Sequence, residues 1–280
     1  MPPSRSTGPT RRHALRSLAA IGIGAATGTA AHGFLYERHH VGVTRETLIV
    51  SNLPEALAGL RIGFLTDVHR SRTVGRELVD SAVRLIMSER PDLIVLGGDY
   101  VTWGDRRYVS EAADALAPLS APHGVLAVLG NHDDDRDMPA ALAARGFTVL
   151  RDERTGLTLR GEKLDVAGIR YWTRRPSDIA RVLHGASTTT MLLAHTPKRL
   201  IEAAALDVPL MLSGHTHGGQ IVLPGLGAVA AREYPVIYGK GRRDRTSIFV
   251  SRGVGTVYVP IRVNCPPEVA LLTLQPAEQA

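Results

Sequence analysis

Asp67, His69, Asp99, Asn131, His195, His215 and His217 each follow a short apolar run, and each offers an oxygen or an imidazole nitrogen that binds divalent metals. Asp67 and His69 are two apart, a spacing that in extended chain turns both side chains to one side, so that both reach one ion. His215 and His217 repeat the spacing around Thr216, and Gly214, Gly218 and Gly219 leave the backbone room to fold tightly about them. Asp99 ends the stretch Pro91-Asp92-Leu93-Ile94-Val95-Leu96-Gly97-Gly98, and its two carboxylate oxygens can be shared between two cations. Asn131 adds an uncharged amide oxygen. Imidazole and oxygen donors without sulfur suit Mn, Fe or Zn better than Mg or Ca. A single His or Asp at a strand end is more often a turn former or a helix cap. Seven at successive strand ends point instead to a metal centre.

The elements that must position these residues follow from the apolar pattern. Leu93–Leu96 is too short and too uniformly apolar for an amphipathic helix and reads as a strand buried on both faces. Ile62–Thr66 reads as the strand before it, and Val74–Glu89 as the helix between them, with Leu78, Val79, Ala82, Leu85 and Ile86 on one face. A second crossover follows, with a helix over Ser110–Ala117, a strand over Val125–Leu129 and a helix over Met138–Arg145. From Val149 to Gly168 short strands are expected, with turns at Thr155-Gly156 and Gly161-Glu162-Lys163. Beyond them the pattern gives a helix over Ser177–Leu183, a strand over Thr190–Ala194, a helix over Lys198–Ala205 and a strand over Leu210–Leu212. Strands over Ile248–Ser251, Thr256–Val259 and Val269–Leu274 end the chain. The carboxyl ends of parallel strands share one edge of a sheet, so ligands far apart in sequence converge there.

With 280 residues, 44% of them hydrophobic and 21% charged, the chain buries a sizeable core. A formal charge of +6 favours anionic partners such as phosphates, nucleic acid or an acidic membrane surface. The single cysteine, Cys265, excludes an intramolecular disulfide and a thiolate-rich metal site. Met1–Thr10 is rich in Pro, Ser and Thr; Arg11-Arg12 and Arg16 follow, then an uncharged run from Ser17 to Ala31 with a small-residue exit at Thr29-Ala30-Ala31. This is the layout of an export signal, and the paired arginines resemble the twin-arginine address, although Ala14 stands where a bulkier apolar residue is commoner. The run is short of the roughly 20 residues of a spanning helix. The division expected is a signal or N-terminal anchor over 1–35, a lead-in over 36–59 with a strand at Thr47–Val50 and a turn at Asn52-Leu53-Pro54, and a catalytic domain over 60–275. Ile221–Gly227 reads as a core strand and its turn rather than an apolar lip for a lipid chain, and Lys240, Arg242, Arg243 and Arg245 as a solvated loop rather than a face for acidic lipid.

In order and spacing, Asp67-Val68-His69, Gly98-Asp99, Gly130-Asn131-His132-Asp133, His195 and Gly214-His215-Thr216-His217 resemble the signature of the calcineurin-like metallophosphoesterases, over about Arg61 to Leu274. Ser251-Arg252-Gly253-Val254-Gly255-Thr256 and Pro266-Pro267-Glu268 look like those of a bacterial subgroup with twin-arginine signals. The resemblance implies an α/β fold, a four-layer α/β/β/α sandwich, and a binuclear site. One ion would take Asp67, His69, Asp99 and His217, the other Asp99, Asn131, His195 and His215. Phosphoprotein phosphatases of the family continue the second motif as Gly-Asp-x-Val-Asp-Arg-Gly and place Glu after Asn-His; here Tyr100-Val101-Thr102-Trp103 follows Asp99 and Asp133 follows His132, which disfavours phosphoprotein substrates.

The mechanism this implies uses two divalent cations about 3.5 to 4 Å apart and a hydroxide shared between them as nucleophile, with no Ser or Cys nucleophile. His132 would protonate the leaving-group oxygen, Asp133 would orient that imidazole or cap the helix near Met138, and Arg70 would touch a substrate phosphate or lie in solvent. The function expected is hydrolysis of phosphodiester or pyrophosphate bonds, of small or lipid-linked substrates, by a protein carried to the cell envelope or the outer face of the cytoplasmic membrane by the twin-arginine machinery. The alternatives are a nuclease or cyclic-nucleotide phosphodiesterase on the same site, and a non-catalytic metal-binding scaffold of the same fold.

Overall fold

The structure, a computed structural model, describes residues 11–277; the Pro-, Ser- and Thr-rich Met1–Thr10 lies outside the described residues. In chain order its elements are α1 (Arg11–Leu35), β1 (Gly42–Val50), β2 (Arg61–Leu65), α2 (Arg76–Ser88), β3 (Leu93–Leu96), α3 (Val109–Leu116), β4 (Val125–Ala127), α4 (Asp137–Ala143) and β5 (Thr148–Val149). The second half runs through β6 (Glu153–Leu159), β7 (Glu162–Ile169), α5 (Pro176–Leu183), β8 (Thr190–Ala194), α6 (Leu200–Ala205) and β9 (Leu210–Ser213). It ends with β10 (Val222–Leu223), β11 (Gly227–Ala228), β12 (Gly239–Arg243), β13 (Thr246–Val250) and β14 (Glu268–Pro276).

The four residues of β3 are all buried, but on two faces. Leu93 and Val95 join a core with Ile62, Phe64, Met191, Leu193, Leu210, Leu212 and Phe249, whereas Ile94 and Leu96 join one with Val79, Ala82, Ile86 and Leu116. Side chains alternate across a strand, so a strand covered on both faces shows no polar alternation. The first core lies between two six-stranded sheets, ordered β1-β14-β2-β3-β4-β5 and β12-β13-β9-β8-β7-β6. The second lies under α2, α3 and α4, and a third, with Ile179, Leu200, Ala203, Met211 and Ile248, under α5 and α6. These are the layers of an α/β/β/α sandwich.

β2, β3, β4 and β5 are parallel, as are β7, β8, β9 and β13. The carboxyl ends of β2, β3 and β4 in one sheet, and of β8 and β9 in the other, carry the seven candidate ligands. β14 is antiparallel to β2 and parallel to β1, so the amino ends of β14 and β1 lie at that same edge.

Several elements differ from the pattern read in the sequence. The strand expected at Thr47–Val50 is the second half of a longer β1, paired with β14 over its full length; its first half, Gly42–Glu46, lies on the sheet edge with polar residues, which weakens the apolar signal there. Thr155-Gly156 is not a turn but lies inside β6, opposite Val166 and Asp165, and the hairpin turns at Arg160-Gly161, both with positive φ. Thr256–Val259 is loop, with Tyr258 at φ 61°. Lys240–Arg243 is no loop but part of the edge strand β12, where charge blunts further pairing. Ile221–Gly227 is not a core strand: it leads into the small β10–β11 hairpin, whose Leu226 is 70% exposed. α1 extends beyond the apolar run at both ends, and its 25 residues make it long and apolar enough to cross a membrane by length and composition.

Candidate metal centre

Asp67, His69 and His217 form one group of potential ligands, and Asp99, His195 and His215 a second; within each, the ligand atoms lie within 4.8 Å of one another. Asp99 lies between the groups, its Oδ2 3.5 Å from His69 Nε2 and 3.1 Å from His195 Nε2. Asp67 Oδ1 is 3.3 Å from His217 Nε2 and 3.9 Å from the Nε2 atoms of His69 and His195. The Nε2 atoms of His69 and His217 face each other at 3.0 Å. Asn131 Oδ1 is buried without a hydrogen-bond partner. The gathered imidazole nitrogens and carboxylate oxygens, with an orphaned amide oxygen on a residue lining the same cleft as Asp99, His215 and His217, form a donor set that fits divalent cations.

The outer atoms of these side chains are tied down, which aims the inner ones. Asp67 Oδ2 accepts from Thr66 Oγ1 and from the His215 amide, at 2.9 and 3.0 Å. Asp99 Oδ1 accepts from the His132 amide at 2.8 Å. His195 Nδ1 bonds the Gly97 carbonyl at 2.8 Å, which fixes the proton there and leaves Nε2 free, and His215 Nε2 meets the Tyr234 hydroxyl at 2.7 Å. Burial lowers the pKa of His69 and of His215 to about 3, keeping both in the neutral form that donates a lone pair. Burial also opposes charge on His195, but the Asp99 carboxylate outweighs it and lifts the pKa to about 10. Burial favours the neutral acids of Asp67 and Asp99, yet the imidazoles, led by His217 for Asp67 and His195 for Asp99, hold both well below the ordinary carboxylate range. The spot strongly favours positive charge.

The backbone achieves this by a route the sequence spacing did not show. Asp67, His69, Asp99, His215 and His217 all have positive φ, between 49° and 74°, so the paired residues are turned inward by left-handed kinks and not by extended alternation. Such conformations cost on the order of 1–3 kcal/mol each and concentrate at functional sites. Two glycines make the close approach possible. A Cβ on Gly130 would collide with the Asp99 carboxylate, and one on Gly214 with that of Asp67.

Asp133 neither orients His132 nor caps a helix; Asp134 does the latter, its Oδ1 accepting from the amides of Arg136 and Asp137 at 3.0 and 2.6 Å. Asp133 instead accepts from the amides of Asp99 and Gly130, each at 2.8 Å, of Tyr100 at 2.7 Å and of Val101 at 3.3 Å. It clamps the loop after β3 to the loop after β4. Burial and the charge of Asp99 raise its pKa to about 7, while the Gly130 and Tyr100 amides pull it down. Asp133→Asn turns an NH2 group towards these amides, and such an unmatched contact costs about 1–3 kcal/mol. The variant is expected to melt several degrees lower and, because Asp99 and Asn131 shift with their loops, to turn over about 10- to 100-fold more slowly. Thermal unfolding and steady-state rates check both; wild-type values would mean that the loops hold their places without the clamp.

Arg70 is neither free in solvent nor among the residues lining the cleft at the site. Its guanidinium bonds Glu111 at 2.5 Å and the Val74 carbonyl at 2.7 Å and lies over the Tyr108 ring. His132 does line that cleft, a space of about 400 Å³ bounded also by Asp99, Asn131, His215 and His217. Its remaining wall is mostly apolar and aromatic, with Ile221, Val229, Val257, Tyr234 and Tyr258, and also carries Thr216, Gln220 and Glu233.

Tyr234, Trp103, Tyr258 and Arg262 were not singled out from sequence. Trp103 and Tyr258 flank His132, with ring centroids at 4.4 and 6.4 Å. Arg262 is fully buried and donates to the carbonyls of Arg252, Gly253, Gly255 and Cys265. It thereby folds the segment after β13 against Asp67 and Val68, which Gly253 and Gly255 touch. The unusual density of glycine in Gly253-Val254-Gly255 was the one available signal for it.

Residues 60–219 match the family model of the calcineurin-like phosphoesterases. The chain is 32% identical to the metallophosphoesterase YkuE of Bacillus subtilis over 95% of its own length and 98% of that protein's. It is 33% identical to the phosphodiesterase YaeI of Escherichia coli, over 78% of this chain and 83% of YaeI. To a Bos taurus transmembrane protein with a metallophosphoesterase domain it is 30% identical, over 96% of this chain and 64% of that one.

Proposed function

We propose that the chain, which belongs to the calcineurin-like phosphoesterase family and is a metal-dependent phosphoester hydrolase, acts on phosphodiester or pyrophosphate bonds at the cell envelope. The observation that carries this is the cleft. It opens on Asp99, Asn131, His132, His215 and His217, and among the described residues lining it there is no Lys or Arg. A phosphomonoester dianion, or a pyrophosphate with its two or more charges, would call for further cationic side chains, whereas a diester carries one charge and a second substituent, for which the mostly apolar and aromatic wall is suited, so the cleft favours the diester of the two bonds. The similarity to a phosphodiesterase supports the same choice. The lack of cationic lining weighs against nucleic acid, whose binding rests on Lys and Arg contacts to phosphate.

Asp67, His69, Asp99 and His217 would hold one divalent cation and Asp99, Asn131, His195 and His215 a second, of Mn, Fe or Zn by donor type, which when bound supply charge to polarise a phosphoryl oxygen and acidify a water. The protein's own groups do the rest. Asp99 fixes the relation between the two ligand groups. Trp103 donates its amide proton to His132 Nδ1 at 3.1 Å, which places the proton of the neutral ring on Nε2. Burial lowers the pKa of His132 and so favours this neutral ring, whose Nε2–H is a hydrogen-bond donor. His132 is therefore placed to donate to the leaving-group oxygen.

Arg11, Arg12 and Arg16 at the start of α1, with the domain at its far end, support a cytoplasmic start and an external domain. The twin-arginine resemblance and the transmembrane relative agree with that direction. On this reading 1–35 is the signal or anchor, and 36–59, which supplies β1 to the first sheet, belongs with 60–275 in the catalytic domain.

The test is chelation and refilling. Dialysis against a chelator is expected to lower hydrolysis of bis(4-nitrophenyl) phosphate more than about 100-fold, and added Mn to restore it as metal content reaches two ions per chain. Two bound ions without hydrolysis of any phosphoester would overturn the reading in favour of a metal-binding scaffold.

A further inference from the structure

α1 joins the fold at the edge that bears the candidate ligands, since Gly42 at the start of β1 pairs with Glu268 at the start of β14, and β14 runs antiparallel to β2. The junction is not a loose tether. Gly33 is buried, a Cβ there would strike the Arg262 carbonyl, and the Arg262 amide donates to the Gly33 carbonyl at 3.3 Å. The buried Glu37 carboxylate accepts from the amides of Asn264 and Cys265 at 3.1 and 2.6 Å. Arg38 reaches the Thr73 carbonyl at 3.4 Å.

The segment that receives the helix also builds the lip of the cleft. Val257, Tyr258 and Val259 line the cleft, and Val263 pairs with Ile221 and takes the amide of Val222, at the base of the β10–β11 hairpin. This face carries exposed apolar side chains that no part of the described chain covers: Leu35 and Leu226 at 70%, Val229 at 53% and Tyr258 at 79%. Exposed apolar groups in such number mark a contact surface.

We propose that this face docks on a lipid bilayer that α1 spans, and that the cleft receives the headgroup phosphodiester of a membrane lipid; the substrate part rests on the phosphodiester reading above. Continuity selects the bilayer. α1 is exposed along its length except at Gly33, and its 25 residues rise about 38 Å, enough for a hydrocarbon core of about 30 Å. The end of that helix is fixed to the lip, so a spanning α1 brings Leu226 and Tyr258 to the membrane surface. Tyr36, Trp103 and Tyr258 supply the amphipathic rings that favour that depth, and Arg72, in a neighbouring cleft shared with Tyr258, suits an adjacent headgroup phosphate. In the reaction, water adds its oxygen to phosphorus and the P–O bond to one alcohol breaks. That oxygen leaves hydrogen-bonded to the Nε2–H of His132 and takes up the proton released by the water.

The full chain is reconstituted in vesicles of phosphatidylethanolamine and phosphatidylglycerol. A polarity-sensitive fluorophore is attached at Leu226→Cys or, as control, at Ile49→Cys near the end of β1, at the opposite edge of the sheet. Cys265, 1% exposed, does not compete for the label. A spin-labelled acyl chain is expected to quench the fluorophore at 226 at least about twofold more than at 49. Equal quenching overturns the docking, as does a concentration-dependent blue shift at 226 without lipid, which would mean contact with a second copy. In Leu226→Asp, turnover of soluble bis(4-nitrophenyl) phosphate should stay within about twofold while hydrolysis of vesicle phosphatidylglycerol falls at least about tenfold. Equal retention on both overturns the role of the lip. A wild-type chain that hydrolyses the soluble diester but no vesicle lipid overturns the headgroup part and leaves the hydrolase reading intact; one that hydrolyses neither overturns that reading, and the fluorophore still decides the docking.

Discussion

Asp99→Ala is expected to lower turnover of a bis(nitrophenyl) phosphate by about a thousandfold or more and to leave the purified chain with at most one tightly held ion. Asp99 Oδ2 approaches a nitrogen of each ligand group, His69 at 3.5 Å and His195 at 3.1 Å, while its Oδ1 is occupied by the His132 amide. Without the carboxylate, neither group keeps a full set of anionic donors. The charge stabilisation that a two-ion site gives to a phosphoryl transition state is several kcal/mol, and each 1.36 kcal/mol is a factor of ten in rate. Alanine also leaves the His132 amide without its acceptor, so Asp99→Asn is the sharper variant. It keeps the shape and an oxygen for that amide but removes the charge. Kinetics and elemental analysis of both variants check the assignment. Two ions per chain and near-normal rates in Asp99→Asn would mean that the carboxylate is only a strut.

The site was legible in the sequence further than its support. Asp67, Asp99, Asn131, His195 and His215 stand directly after or close to apolar runs, and strand ends of a parallel sheet meet at one edge, so the convergence of the ligands could be read from order alone. How they converge could not. The positive φ at Asp67, His69, Asp99, His215 and His217 is imposed by hydrogen bonds from the neighbouring strand end, as where the Asp67 amide bonds the Gly98 carbonyl and the His69 amide that of Asp99. These partners lie about thirty residues away in the chain. Asp133 illustrates the same limit: next to His132 in sequence, it turns away from the imidazole to four backbone amides. Arg262 reads as a surface charge because Arg is rarely buried, and only the converging carbonyls of the segment around it explain why it is. β1 was underestimated for the opposite reason. Its pairing with β14, more than two hundred residues later, holds an edge strand whose own sequence is weakly apolar.

His132→Ala is expected to act on the leaving group and not on the metal content. The contact of His132 with Asp99 is made by its backbone amide, and the Gly104 amide binds the His132 carbonyl at 2.7 Å. Neither depends on the imidazole, so the variant should retain two ions per chain and the wild-type fold. What it loses is the proton on Nε2, held there because Trp103, in a left-handed conformation with φ 55°, turns its amide onto Nδ1. General acid catalysis contributes about 10²- to 10⁴-fold when the departing oxygen is strongly basic and little when it is not. Turnover of an alkyl phosphodiester should therefore fall by about that factor, whereas a nitrophenyl ester, whose phenolate leaves unaided, should lose no more than about tenfold. Added imidazole should restore part of the rate on the alkyl substrate alone. Equal losses on both substrates, with metal content unchanged, would mean that His132 binds the phosphoryl group and does not protonate the alcohol that leaves.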